Sequence, residues 1–408
     1  MIVNTAADQQ TTVNSTVRGA TGRPNEFLAR ANAAAEVARA HAASADAEAR
    51  FPAEAFAEIR RQRLLGIMVP KALGGEGASL ADIADICFIL GQACSSTGLI
   101  YAMHQIKMAC IVRHVKDNAA LQRILRRIAG EQFLMASSTT EGQAGGNVRS
   151  SEAAIVPDGA HVTLERKATV ISYAVDADGI VTTARRAADA AGSDQVLLVL
   201  LKSDYTLERL QAWDTLGMRG THSEGFTLRA RADADQVMPE PYERIHAQTM
   251  VPFAHLLWGS VWAGIAAVAT GKAQTFIRHA MRNSNGQMPP GAAHFTQAVS
   301  TLRTLRGVLS AAMRSYEAVM SDEKAIASLE FQSMITLTKV QVSELAATTV
   351  MSAMRACGLS GYRNDTEFSI GRHLRDVLSA PIMISNDRIM ANLATTSLMT
   401  PLPTTIGS

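Results

Sequence analysis

Apolar periodicity changes twice along this 408-residue chain, and that order restricts the available folds more than any single motif. Residues 25–130 are alanine-rich with helical spacing. Phe27, Ala31, Ala34, Ala35 and Ala38 recur at three- and four-residue intervals and make one apolar face. Pro52 stands where a helix can start, because a first turn needs no N–H there. Residues 131–245 change character. Phe133–Ser137, Ala153–Val156, His161–Leu164, Thr169–Tyr173, Gly179–Thr183, Gln195–Leu201 and Gly225–Arg229 read as short strands separated by Gly, Asp and Pro. Residues 246–408 return to helix, with candidates Pro252–Arg282, Phe295–Met320, Lys324–Cys357 and one after Pro381. The expectation is an α+β, mainly α protein. A helical N-terminal domain, a central antiparallel β-barrel or sandwich and a C-terminal four-helix bundle follow a polar arm, residues 1–24, predicted to be disordered.

Composition narrows the function. Net charge is only +2 and the charges are interleaved, so neither nucleic acid nor a membrane surface finds an electrostatic footprint. The apolar stretch Pro252–Thr270 contains His255, Gly259, Ser260 and Gly264 and reads as a buried helix rather than a membrane span. Cys87, Cys94, Cys110 and Cys357 form no CxxC pair, which points to buried thiols and to no metal site. The N-terminus lacks a basic segment followed by an apolar core, and the expected location is the cytoplasm.

Several segments could carry chemistry. TTEGQAGGNV, Thr139–Val148, lets backbone N–H groups approach a ligand closely; by composition alone a glycine-rich surface loop is the favoured reading. Ser172 reads as a strand hydroxyl. Arg282 offers a forked donor to phosphate, or simply completes a helix C-terminus. ACGLSG, Ala356–Gly361, is a glycine turn. RHLRDVLSAPIMISNDR, Arg372–Arg388, joins an Arg375-Asp376 pair to a helix-breaking Pro381 and a polar Ser385-Asn386-Asp387 turn.

Taken in order, these segments resemble the acyl-CoA dehydrogenase superfamily. Thr140-Glu141 and Ala144-Gly145 match its TEPGAGSD-like run, which lies against flavin and thioester; Gly146 replaces the serine that helps hold the phosphopantetheine arm. VISYAVDADGIVTTAR, Val170–Arg185, resembles the WITNG…AD segment and places Ser172 on the hydroxyl that bonds the flavin ring. Arg282 and Gly286 match R-x-x-F-G, whose arginine meets the FAD pyrophosphate of a neighbouring subunit. Gly358 and Gly361 match the QxxGGxG turn near the adenine half. Asn386 falls on the threonine of the EGT turn, another flavin phosphate contact. LGGEGA, from Leu73, and DTLGMRGTHSEG, from Asp214, match two further runs.

The resemblance breaks at the base. Family members place a glutamate nine residues after the arginine of RDAxxxxIYEGT, and counting nine from Arg375 reaches Ile384. An alternative family position, on the first helix after the β-domain, falls on Ala254, beside His255. Asp387 is a candidate base, or a helix-capping residue. His255 is another, or a core histidine. His104 and Ser172, with His373, resemble elements of the superfamily's monooxygenase branch; His104 also reads as a satisfied helix histidine.

The resemblance implies an FAD-dependent oxidoreductase. Its leading reaction is α,β-dehydrogenation of an acyl thioester on CoA or a carrier protein, with hydride transfer to flavin N5. Catalysis would fall to Asp387, His104 or His255, flavin binding to Thr140, Ser172, Arg282, Gly358, Gly361 and Asn386, and substrate contact to Gly145, Gly146 and Ile384. An electron-acceptor flavoprotein or a flavin reductase would be the partner, and a homotetramer the assembly. The alternative is a monooxygenase using O2 with reduced FMN or FAD as co-substrate. A second alternative is a non-catalytic flavin- or partner-binding protein.

Overall fold

The computed structural model describes residues 26–141, 150–399 and 405. The predicted arm 1–24, and with it Gly145 and Gly146, lie outside the described residues.

Five helices come first: α1 (Glu26–Ala47), α2 (Ala53–Arg61), α3 (Leu80–Ala93), α4 (Ser95–His114) and α5 (Ala119–Glu131). The alanine stripe of α1 is buried, and α1 packs on α3. A capping box starts α3. The Ser79 hydroxyl accepts from the Asp82 N–H, and the Asp82 carboxylate accepts from the Ser79 N–H. The central helix α4 is buried on nearly every side, including polar His104, Gln105 and Lys107.

Two sheets follow. The first orders β1 (Met135–Ser138), β4 (Gly179–Arg185) and β5 (Gln195–Leu201), with β1 parallel to β4 and β5 antiparallel to it. The second orders β2 (Val156–Asp158), β3 (His161–Ile171), β7 (Glu224–Asp233) and β6 (Tyr205–Gln211), all antiparallel. This corrects two expectations. There is no closed barrel, because among the described residues no ladder joins the edge strands of the two sheets, and the β1–β4 pair is parallel. Thr169–Tyr173 is not a separate strand. It merges with His161–Leu164 into β3, and Ser172 and Tyr173 sit in the turn beyond, where Tyr173 adopts φ +45°.

The chain then rises through α6 (Tyr242–Ile245) and a π turn, His246–Met250, into α7 (Val251–Asn283). With α8 (Ala292–Val319), α9 (Glu323–Ala327) and α10 (Leu329–Cys357) come α11 (Leu359–Tyr362), α12 (Gly371–Val377), α13 (Ser379–Ile382) and α14 (Asn386–Met399). The long helices α7, α8 and α10 pack on one another, and α14 packs on α10. A Cβ on Gly264 would lie 2.4 Å from the Phe88 carbonyl oxygen, so glycine permits the close crossing of α7 over α3. Tyr242–Asn283 is the one helix among the described residues long and apolar enough to cross a membrane, and 78% of its most apolar window is buried inside the protein. It is the core helix that joins the N-terminal helices to the bundle.

Candidate active site at the junction of α4, β1 and α7

A pocket opens where the three regions meet. Helix α4 contributes Met103, Ile106 and Lys107; β1 and the residues after it contribute Ser137 and Thr139. The π turn supplies His246 and Met250, and α7 supplies Val251, Ala254, His255 and Trp258. The fourth wall is Ile384, from the turn before α14. A π turn shifts the helical register by one residue, and such turns recur at functional sites; this one ends at the pocket wall.

Ile384 is held at φ +58°, and Ser385 at φ +36°. The left-handed region is costly for a β-branched residue, so the surrounding packing has to enforce it. Upstream of it, two contacts anchor α12. The guanidinium of Arg375 bonds the carboxylate of Asp46 and, at 2.8 Å, the Leu216 carbonyl. Buried Asp376 accepts from the Met218 N–H at 2.7 Å. Arg375-Asp376 therefore pins α12 to α1 and to the loop before β7.

The acid–base groups of the pocket are not carboxylates. His255 is buried and its Nδ1 lies 3.0 Å from the Ile335 carbonyl. A carbonyl only accepts, so Nδ1 carries the proton and Nε2 keeps the lone pair. Burial pushes its pKa down to about 4, so the ring is neutral near pH 7. Lys107 is buried with its Nζ 3.5 Å from the Met250 sulfur, which also accepts from the Tyr242 hydroxyl at 3.2 Å. Burial pushes the Lys107 pKa down to about 8. Sequence reasoning missed Lys107, since a lone lysine on an apolar helix carries no motif.

The other expected residues lie elsewhere. His104 is not a free base. Its Nε2 donates to the Leu65 carbonyl at 2.9 Å and its Nδ1 accepts from the Met135 N–H at 3.0 Å, so both nitrogens are committed. It ties α4 to β1 behind the pocket. His373 is buried in α12 and does not line the pocket. Asp387 is exposed in the first turn of α14, where a carboxylate favours the helix dipole, and it too is outside the pocket.

Ser172 is half-buried and bonds Ser223 at 2.7 Å, which bonds Thr221 at 2.8 Å. Thr140 is half-buried beside the pocket residue Thr139. Glu141, at the root of the glycine loop, pairs with buried Arg166 at 3.1 Å and accepts from the Glu152 N–H at 2.5 Å. Asn386 is buried with its amide already used. It accepts from Lys339 at 2.7 Å and donates to Ser343 at 3.0 Å and Glu344 at 2.7 Å. Arg282 is exposed in the last turn of α7 without a partner among the described residues. Gly358, at φ +55°, ends α10, and Gly361 is buried against Cys357. The four cysteines are buried and unpaired, and no group of metal-ligating side chains occurs among the described residues.

The residues present fit a flavin. Ser137 and Thr139 bring donors and acceptors for a heteroaromatic ring edge to the pocket wall, while Ser172, Ser223 and Thr221 bond one another outside the lining. The Trp258 Nε1 is a buried donor with no partner among the described residues.

Family comparisons agree. Residues 27–132 match the model of the acyl-CoA dehydrogenase N-terminal domain, and residues 259–399 that of its C-terminal domain. The chain belongs to the acyl-CoA dehydrogenase superfamily. A probable acyl-CoA dehydrogenase, YngJ of Bacillus subtilis (strain 168), is 24% identical over 82% of this chain and 87% of its own length. The L-evernosamine nitrososynthase of a Micromonospora species is 26% identical over 84% of this chain and 82% of its own. Among solved structures, FMN-bound TdsC from Paenibacillus sp. A11-2 superposes with a TM-score of 0.80 at 18% identity, covering 93% of this chain and 98% of that one. The fold is thus a flavoprotein fold, and relatives of more than one chemistry share it.

Proposed function

We propose that this protein is a flavin-dependent monooxygenase that receives reduced flavin from a reductase and acts on a small substrate in the pocket bounded by α4, β1 and α7. One observation carries the reading: Ala254 and Ile384 fill both positions where the superfamily's dehydrogenases would need a carboxylate, and no acidic side chain lines the pocket among the described residues. Removal of a thioester α-proton needs such a base; oxygen insertion at a nucleophilic atom does not. The likeness to L-evernosamine nitrososynthase supports the same choice. Asn386, saturated by Lys339, Ser343 and Glu344, has no amide group left over for a flavin phosphate, whether the flavin is FMN or FAD.

Within the pocket, bound reduced flavin supplies the electrons that activate dioxygen. Apolar Met103, Ile106, Val251 and Ile384 exclude water. Neutral His255 presents Nε2 as an acceptor for the proton of the substrate's reacting group. Thr139 and Ser137 orient polar edges.

A second reading has one observation in its favour. With its pKa pushed to about 4, His255 has the basicity of a carboxylate and could serve as the base of a thioester dehydrogenase. The homotetramer belongs to both readings and is supported by the apolar surface of the C-terminal region, where Leu359, Tyr362 and Ile382 are 71%, 73% and 76% exposed. The domain limits 25–130, 131–245 and 246–408 and a cytoplasmic location are part of the same proposal.

Two assays decide. Anaerobic titration of the flavin-loaded protein with a panel of acyl-CoA thioesters should leave the visible spectrum unchanged. Reduced FMN with O2 should give products heavier by one oxygen atom. Bleaching by a thioester would overturn the monooxygenase reading.

A further inference from the structure

Lys107 is the charge this pocket does not explain. Its side chain is only 3% exposed, on a helix buried all round, and among the described residues its one hydrogen-bond partner is the Met250 sulfur at 3.5 Å. A thioether is a weak acceptor, and this one already takes the Tyr242 hydroxyl. No Asp or Glu lines the pocket among the described residues, and the segment 142–149, GQAGGNVR, contains none. The nearby charge of Arg166 is answered by Glu141, so it leaves nothing over for Lys107.

The other buried lysine shows what a structural role looks like. Lys339 donates to Asn386 at 2.7 Å and has Glu344 close by. A buried ammonium with no such partner is costly, and folding alone gives no reason to keep it. An anionic ligand group would supply the missing partner. The walls around it, Met103, Ile106, Val251, Trp258 and Ile384, suit an apolar body.

We propose that the substrate of this pocket is a small apolar carboxylic acid whose carboxylate pairs with Lys107 Nζ. The inference rests on the pocket's being the substrate site, not on which reaction occurs there. Lys107 is a specificity-determining residue in this assignment; His255 remains the proton acceptor.

The test is binding, read without turnover. Full-length protein, with FMN present and at fixed ionic strength, is titrated calorimetrically with hexanoate, phenylacetate and indole-3-acetate, each against its primary amide. At least one carboxylate should bind roughly tenfold tighter than its amide, the factor expected for one charge-assisted hydrogen bond. Lys107→Met should abolish that preference while the ligand-free variant melts at a higher temperature than wild type, because a buried charge has been removed. Lys107→Gln should also lose the preference, and replaces Lys107→Met if that variant does not fold. The proposal is overturned if no carboxylate outperforms its amide, or if the variants retain the preference. Oxygen-dependent turnover indifferent to Lys107→Met would sink this inference alone. Carboxylate preference without such turnover would sink the monooxygenase reading alone.

Discussion

Ala254 and Ile384 line the same pocket, one from α7 and the other from the turn before α14. On the reading proposed above, each stands at a position where the family resemblance implies a catalytic carboxylate, and neither side chain is one.

Restoring a carboxylate should therefore be informative. Ile384→Glu replaces a β-branched residue at φ +58° with one that tolerates the left-handed region better. We expect slow anaerobic bleaching of bound flavin by an acyl-CoA in the variant and none in wild type, followed in the visible spectrum. Equal behaviour would show that the pocket does not admit a thioester.

His255→Gln removes the Nε2 acceptor and keeps a side chain able to donate toward Ile335. Oxygen-dependent kcat should fall by about 10²–10⁴-fold, the usual worth of a positioned acid or base. A change in KM alone would make His255 a binding residue.

His104 should matter for stability. Its loss removes the bond to the Met135 N–H and leaves the buried Leu65 carbonyl with a longer bond from Gln105 at 3.3 Å. His104→Ala should destabilise the protein by about 2–4 kcal/mol, seen as a lower urea midpoint. An unchanged midpoint combined with lost activity would return His104 to the catalytic list.

Acid should weaken the fold for the same physical reason. Burial lowers the pKa of His104 and His255 to about 4 and of His373 to about 3. Between those values and the ordinary histidine value near 6.5, the unfolded chain binds more protons than the folded one. Stability should be full above about pH 6.5 and decline as the pH falls toward 4, each buried ring contributing on the order of 3 kcal/mol. In wild type, a urea midpoint flat from pH 7 to 5 would contradict this; in His104→Ala the slope should be shallower.

Glu141 and Arg166 form a buried pair at the root of the glycine loop. Glu141→Ala strands a buried guanidinium and should cost about 3–5 kcal/mol. Replacing both partners should cost less than Glu141→Ala alone, which a double-mutant cycle in urea would register.

What the sequence by itself determined is the part governed by local spacing. The alanine interval of α1 put a small-residue stripe on one face whatever packs there, and β5 runs from Gln195 to Leu201 as its apolar run requires. Counting nine residues from Arg375 reaches Ile384, and Ile384 lines the pocket. Strand β6 escaped because YTLERLQ lies mostly exposed, so its alternation is blurred by charge. The split drawn inside β3 failed for a related reason. Glu165-Arg166-Lys167 looks like a solvated break, yet Arg166 points inward to Glu141.

Only the tertiary structure decided which polar groups became functional candidates. His104 and Lys107 sit one turn apart on α4, and nothing in their spacing separates them. Packing sends His104 between two backbone groups that satisfy it, and sends Lys107 to a pocket where, among the described residues, its hydrogen-bond partner is a sulfur. Asp387 and Ile384 are three residues apart, and the turn between them exposes the carboxylate and sets the half-buried hydrocarbon in the pocket wall. Helical and strand periodicity arise from bonds between near neighbours. Whether a buried polar group finds its partner depends on chain segments far along the sequence, such as Met250, 143 residues from Lys107, and a one-dimensional pattern does not contain that distance.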